Sequence, residues 1–451
     1  LWVPVATVAI AVLGYLASRG VPRTPAPAPA LRVDWNPLTE TWRNLAFLAK
    51  NEVVFESILG ISWFWFVGTL FLAQLPVFAK EYLGGAEGSV AFLLAVFSVG
   101  IGAGSLACER LSDHKVEIGL VPFGSIGITL FALDLYFASP AAPGAVATAL
   151  GALLAHAGTW RLAFDLFGLG FFGGLFIVPL YALVQTRSDP AHQSRVIAGN
   201  NIVNAIFIVL ASALAGALLA AGGAIPQLFL IAALANAIVA VYIYRKVPEF
   251  LIRFLAWLLV HSIYRLDRRG LANIPAQGPA LLVCNHVSFV DAVVIMAASR
   301  RPIRFVMDHQ IFRTPLLGFV FREARAIPIA PAKADSTLLE RAYDEIARAL
   351  AAGELVAIFP EGRITDTGDL YPFRGGVTRI LGRTPVPVVP MALQGLWGSF
   401  FSRIEGRAMA RPFRRGLFTR IALVADAPWP PDRATPAALE AHVRSLRGDR
   451  R

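Results

Sequence analysis

Long apolar runs repeat through the first half of the chain, and they constrain its fold more than any other feature. About 20 predominantly apolar residues cross a bilayer as a helix, and backbone in lipid must pair its own polar groups, so such runs predict a helical bundle. The runs are 2–18, 58–78, 90–107, 118–137, 164–184, 197–221 and 228–244. Residues 145–157 are apolar but short, which suits an outer loop or an interfacial piece. A hydrophobic content of 56% and a mean hydropathy of +0.60 exceed what a soluble globular chain carries.

Charge gives the orientation. Arg19, Arg23, Arg32, Arg43 and Lys50 follow the first run, and Arg110 and Lys115 separate the third from the fourth. Arg187 and Arg195 separate the fifth from the sixth, and Arg245, Lys246 and Arg253 follow the last. The alternate loops offer only Lys80 and Arg161. Cations concentrate on the cytoplasmic side of a membrane. These loops and everything after Lys246 are therefore expected there, in a multi-pass protein of the inner (cytoplasmic) membrane. The net charge of +11 fits such loops and an anionic lipid surface rather than nucleic acid, for which no basic–aromatic motif stands out. Cys108 and Cys284 fall in different halves, so no disulfide framework is expected, and no His or Cys pair has metal-ligand spacing. The chain opens at Leu1 inside an apolar run and reads as a piece of a longer protein.

Residues 250–260 are apolar but too short and too arginine-flanked to span. With Trp257 and Tyr264 at headgroup depth they suit a helix lying in the interface. From Gly278 the pattern changes to short β-like runs alternating with helical ones, the signature of an α/β domain. Strands are expected at 280–284, 303–307, 326–329, 355–359, 386–392 and 419–424, and helices at 291–298, 315–321 and 336–352. Asp335 or Ser336 can cap the last helix and Gly353 can close it. The fold class is an N-terminal all-α transmembrane bundle (1–247), an interfacial helix and linker (248–277), and an α/β domain (278–451) ending in a basic tail from Arg444.

Active groups in such sheets gather where strands end. Asn285-His286-Val287-Ser288-Phe289-Val290-Asp291 leaves the first β-like run, and Phe359-Pro360-Glu361-Gly362-Arg363 leaves the fourth. A hydroxyl is a poor nucleophile at neutral pH and needs a positioned base as its bond forms. His286 suits that task, and Asp291 can hold its other nitrogen and stabilise the imidazolium. Ser288 suits a turn rather than a nucleophile. Arg363 suits phosphate recognition through its planar fork, beside Gly362, which permits a tight turn. Glu361 can bond a substrate hydroxyl or orient Arg363. Arg322 and Arg325 precede the third β-like run, and Val386-Pro387-Val388-Val389-Pro390 should sit at a sheet edge or strand end, because prolines lack a ladder donor.

The three blocks, in this order, resemble the glycerolipid acyltransferase family. That resemblance spans roughly 278–424. It implies His286 and Asp291 as the catalytic pair, and Asn285, Ser288, Glu361, Gly362, Arg363 and Arg325 as substrate contacts. The family's usual Gly before the third run is replaced here by Ala324 or Ala326. The apolar block from Val386 should pack the acyl-chain side. No bound cofactor is implied; acyl-CoA or acyl carrier protein brings the acyl group, and a membrane lysophospholipid accepts it. Segments 370–376 and 395–403, with Tyr371, Trp397 and Arg403, are similar to fused enzymes that reacylate lysophosphatidylethanolamine.

One span, a Pro-rich linker over 21–30 and six further spans look like the second half of a major facilitator transporter. Gly102–Ser105 leading into Glu109–Asp113 sits where that family carries a Gly- and charge-rich cytoplasmic loop, and the stretch from Asp165 to Phe207 is most similar to its lysophospholipid transporters. Asp165, Asn200, Asn201 and Asn204 lie at membrane depth, where polar groups line cavities or bond across helix interfaces, and Gly170, Gly173 and Gly174 allow close approach. Three functions follow: a lysophospholipid O-acyltransferase, a lysolipid transporter whose second domain traps the imported lipid, and an inactive lipid-binding module.

Overall fold

A computed structural model describes residues 2–22, 35–112, 117–140, 143–144, 149–299, 301–399, 401–402 and 418–450. Arg23, Arg32, Lys115, Arg403 and most of the Pro-rich linker lie outside the described residues.

The helical half comprises α1 (Trp2–Ser18), α2 (Pro37–Leu48), α3 (Glu52–Val77), α4 (Glu87–Leu111), α5 (Leu120–Ala138), the short α6 (Leu150–Leu154), α7 (Ala157–Arg187), α8 (Gln193–Ala220) and α9 (Ile225–Lys246). Six are long and apolar enough to cross a membrane, with α3 continued by a π-turn to Tyr82. The first expected span falls short of that length: α1 is 17 residues long. The observed helices also overrun the apolar runs, because polar residues cap them. Asn51 accepts from Val54 N at 3.2 Å and starts α3 ahead of its apolar core. Asp165, expected to open its span, instead lies two turns inside α7 and is buried.

Glycine sets the closest packing. A Cβ on Gly104 of α4 would lie 1.9 Å from the Phe171 carbonyl oxygen, and one on Gly174 of α7 would lie 2.6 Å from Ser105 N. The helices therefore touch backbone to backbone, as small residues allow in membranes. Ser62 donates to Asn204 across α3 and α8 at 2.7 Å, and Asn236 joins Trp63 to Ser125 and Thr129. Most of these groups serve helix interfaces. Gly104→Ala should push α4 from α7 and destabilise the bundle by about 1–3 kcal/mol, read as a lower melting temperature in detergent.

A second body follows α10 (Pro248–Ile263). Its strands are β1 (Tyr264–Arg269), β2 (Ala280–Cys284), β3 (Ile303–Asp308), β4 (Ile327–Ile329), β5 (Leu355–Ile358), β6 (Val388–Gln394) and β7 (Thr419–Ala425). Its helices are α11 (Asp291–Ala298), α12 (Pro315–Glu323), α13 (Ser336–Ala351), α14 (Gly376–Arg383) and α15 (Pro436–Arg447). The sheet order is β1-β7-β6-β2-β5-β3-β4, parallel throughout except between β6 and β7. Strand β2 lies at the centre with all its residues buried, which is why it reads as an unbroken apolar run. Helices α10 and α11 cover one face of the sheet, and α13, α14 and α15 cover the other.

Four readings change. The sheet begins at Tyr264, ahead of residue 278, with an edge strand whose charges hide its β character. Strand β6 is interior despite Pro390. That residue's carbonyl accepts from Asp426 N at 2.9 Å, so its missing N–H would point past the last β6–β7 pair, Met391↔Ala425, where no donor is needed. The block from Val386 is sheet core, divided between the two helix layers. The first half of the expected basic tail, Arg444–Arg447, closes α15, with Arg447 buried and bonded to the Gly368 carbonyl at 2.7 Å.

Helix α10 joins the halves rather than simply lying on the membrane. Phe254 is buried beside Leu120 and Leu175 of the bundle, while Ala256 and Val260 belong to the sheet's core. Arg253 grips both oxygens of Glu117, just before α5, at 2.9 and 3.0 Å. Leu255, Leu258 and Leu259 stay exposed on the remaining face, whereas Tyr264 is buried in β1.

Candidate active site

The C-terminal ends of β2 and β5 lie side by side, and each carries one of the polar blocks. The first turn of α11 brings Asp291 back to the loop it left. His286 Nδ1 lies 2.8 Å from Asp291 Oδ2, and the same oxygen accepts from Val287 N at 2.6 Å and Ser288 N at 2.9 Å. Asp291 is fully buried, whereas the His286 side chain keeps 21% exposure. With Nδ1 donating to the carboxylate, Nε2 carries the free lone pair. The imidazole stacks on Phe359 at 4.3 Å between centroids and an interplanar angle of 14°, which fixes the ring plane.

Glu361 builds the loop that holds this ring. One of its oxygens accepts from His286 N and the other from Tyr371 N, each at 2.7 Å. Thr365 N donates to the His286 carbonyl at 3.0 Å, closing the link between the two blocks. Burial pushes the Glu361 carboxyl up to about 7, against the pull of the two N–H donors and of His286. Folding therefore takes up a proton between its ordinary value of 4.5 and 7. The stability this group adds is complete below about 4.5 and is lost as pH rises through 7. Glu361→Gln should flatten the fall in melting temperature between pH 5 and 8. It should also cost about 1–3 kcal/mol, because the amide has one acceptor for two N–H groups.

Several residues expected at the substrate are occupied elsewhere. Asn285 is fully buried and pairs with Leu393 like a strand neighbour, donating to its carbonyl at 3.1 Å and accepting its N–H at 2.8 Å. Its amide pins the end of β2 to β6. Ser288 is equally buried, its Oγ facing Val290 N at 3.5 Å, as a turn serine would. Glu361 does not orient Arg363, whose guanidinium instead lies 3.7 Å above the Tyr371 ring. Gly362 has φ +68° and its N–H closes the turn to Phe359.

Arg325 is not brought to the site. It precedes β4 and bonds Glu354, which precedes β5, at 3.4 Å. Both lie at the N-terminal ends of the parallel strands, the edge opposite His286. Arg325 takes the left-handed conformation, φ +55°, after α12, the position that the missing glycine would favour. Arg322 is likewise committed, donating to the Phe312 carbonyl at 3.1 Å.

The sequence reading left two supports unassigned. Phe359 carries the ring, and only its place one residue before a proline in the second block hinted at it. Residues 396–399 and 401–402 pack against the histidine loop: Phe289 N donates to the Phe401 carbonyl at 3.2 Å, Ser288 bridges Ser402, and Tyr264 OH donates to Ser399 Oγ at 3.3 Å.

The family model described as Acyltransferase matches residues 265–394. A chloroplastic 1-acyl-sn-glycerol-3-phosphate acyltransferase of Brassica napus is 30% identical over 154 residues, 34% of this chain and 43% of that one. A lyso-ornithine lipid O-acyltransferase of Brucella abortus is 28% identical over 177 residues, 38% of this chain and 61% of that one. This chain thus spans less than two thirds of the length of these relatives. The crystal structure of the 1-acyl-sn-glycerophosphate acyltransferase PlsC from Thermotoga maritima matches with a TM-score of 0.36 and 19% identity, over 45% of this chain and 78% of that one, too distantly to argue from. The region from β1 to β6, built around the His286 and Glu361 loops, is an acyltransferase domain.

Proposed function

We propose that the protein is a membrane-bound O-acyltransferase that moves a fatty acyl group from a thioester to the free hydroxyl of a lysophospholipid, such as lysophosphatidate or lysophosphatidylethanolamine. The observation that carries this reading is the 2.8 Å contact between His286 Nδ1 and a fully buried Asp291, with the imidazole itself partly exposed. In the step proposed, His286 Nε2 takes the hydroxyl proton as the oxygen attacks the thioester carbonyl. The C–S bond breaks, and the departing thiolate takes the proton from the imidazolium, which Asp291 stabilises. No acyl-enzyme is formed. The donor is acyl-CoA or acyl-acyl carrier protein.

The domain works at the cytoplasmic face of an inner membrane. Support comes from α10, which docks on the loop before α5 and follows Lys246, both on the cation-rich side. Asn51 donates to the Arg187 carbonyl and Arg195 to the Arg43 carbonyl, so other cation-bearing loops share one end of the bundle. Membranes holding the protein, given radiolabelled lysolipids with either thioester, test the reading. Diacyl product is expected, and its absence with every acceptor would end it.

The buried Asp165 of α7 favours a second role for the helical half, that of a major facilitator-type lysolipid carrier feeding the acyltransferase. Lysolipid uptake in the His286→Ala background separates carriage from metabolic trapping.

A further inference from the structure

Tyr264 ties the catalytic loop to a helix outside both polar blocks. Strand β1 runs with β7, β7 against β6, and β6 with β2, so Tyr264 begins β1 at the sheet end where His286 leaves β2. Its side chain is buried, and its hydroxyl donates to the equally buried Ser399 at 3.3 Å. Burial pushes the Tyr264 phenol up against the pull of Ser399, and the Asp291 charge adds to the rise, so the hydroxyl is a donor at neutral pH. From Ser399 the contacts continue to the loop. Ser402 Oγ donates to the Ser399 carbonyl at 2.9 Å and accepts from Gly398 N at 3.0 Å. Ser402 bridges Ser288, and Phe289 N donates to the Phe401 carbonyl.

Tyr264 directly follows α10, so whatever holds that helix holds Tyr264. The Arg253 and Glu117 side chains are only 11% and 21% exposed, too sheltered for the solvent screening that weakens surface pairs. Glu117 also accepts from Gly119 N at 3.2 Å, so one carboxylate serves both the start of α5 and α10. A Cβ on Gly119 would lie 2.3 Å from the Phe250 carbonyl oxygen, which leaves no gap between the two backbones. The Phe123 and Phe254 rings meet at 5.2 Å between centroids. A hydrogen-bonded helix gripped in this way passes a displacement at one end to the other.

We infer that Tyr264 and Ser399 are positioning residues for His286, and that α10 makes this positioning depend on the helical half. A shift at the start of α5 then changes the rate of acyl transfer without touching substrate. This rests on the acyltransferase reading of the site. The route runs through continuous contacts, from Glu117 to Arg253, along α10 to Tyr264, across to Ser399 and Ser402, and into the backbone of Ser288 and Phe289. Those last two residues lie between His286 and Asp291 and help to set their separation.

Acyl-transfer kinetics in membranes holding the whole chain test this. Tyr264→Phe and Ser399→Ala should each lower kcat about 5- to 50-fold, with KM for the lysolipid and the melting temperature little changed. Their double variant should lose no more than the larger single effect, since both remove one hydrogen bond. Glu117→Gln should lower kcat about 3- to 10-fold, and Gly119→Ala, which pushes α10 away without touching the ion pair, should do the same. Combining Glu117→Gln with Tyr264→Phe should cost less than the product of the two, because both interrupt one route. Unchanged kcat in Glu117→Gln and Gly119→Ala, or losses that multiply with that of Tyr264→Phe, overturns the coupling. Losses in Tyr264→Phe that follow KM or melting temperature overturn the positioning role. Amide hydrogen exchange over residues 287–291 gives an answer independent of turnover. Faster exchange in Tyr264→Phe and Glu117→Gln keeps the inference even if no acyl transfer is found, whereas unchanged exchange removes it even if transfer is found.

Discussion

His286→Ala should lower kcat about 10²- to 10⁴-fold, the range a positioned general base contributes. The size follows from the chemistry. A lipid hydroxyl gives up its proton only as the bond to the acyl carbon forms, and Nε2 is the free lone pair facing outward from this pair. The substitution leaves the supports of the loop intact, because Glu361 and Thr365 bond the main chain of residue 286 rather than its ring. The protein should therefore stay folded and membrane-bound, with KM for the acceptor nearly unchanged. Diacyl product formed at the wild-type rate by membranes carrying this variant would remove His286 as the base.

Asp291→Asn should be the second largest loss, on the order of 10²- to 10³-fold in kcat. Only Oδ2 is engaged, accepting from His286, Val287 and Ser288, while Oδ1 has no hydrogen-bond partner among the described residues. Asparagine can place its one oxygen where Oδ2 sits and its NH₂ where Oδ1 sits. The loop geometry then survives, and what disappears is the negative charge opposite the imidazolium. Melting temperature should move little while kcat falls. A large drop in melting temperature with a proportionate loss of folded enzyme would recast Asp291 as a structural residue.

The contact between His286 and Asp291 was legible because both fall within one strand-to-helix turn, where spacing alone brings them together. Local patterns also gave β2 and α11 with their observed bounds. Long-range hydrogen bonding was not legible. Asn285, Ser288 and Glu361 look like substrate contacts in a motif, yet each spends its polar atoms on main-chain or turn groups. Nothing in the sequence shows that Leu393 will lie beside Asn285. Arg325 was misplaced for a different reason: a residue entering a parallel strand sits at the opposite edge from one leaving it, and position along the chain hides that distinction. β1 escaped notice because its Arg265, Asp267, Arg268 and Arg269 mask an edge strand. Pro390 argued for an edge position that the end of the β6–β7 ladder makes unnecessary.

The central claim is direct transfer to a lipid alcohol by a carboxylate-held imidazole. Rapid-quench experiments with a thioester labelled in its acyl chain test it most directly. The label should pass to diacyl lipid only when a lysolipid is present, with none held covalently on the protein when the acceptor is withheld. Stoichiometric acylation of the protein before any lipid product appears, or label transfer that is indifferent to His286, would contradict it.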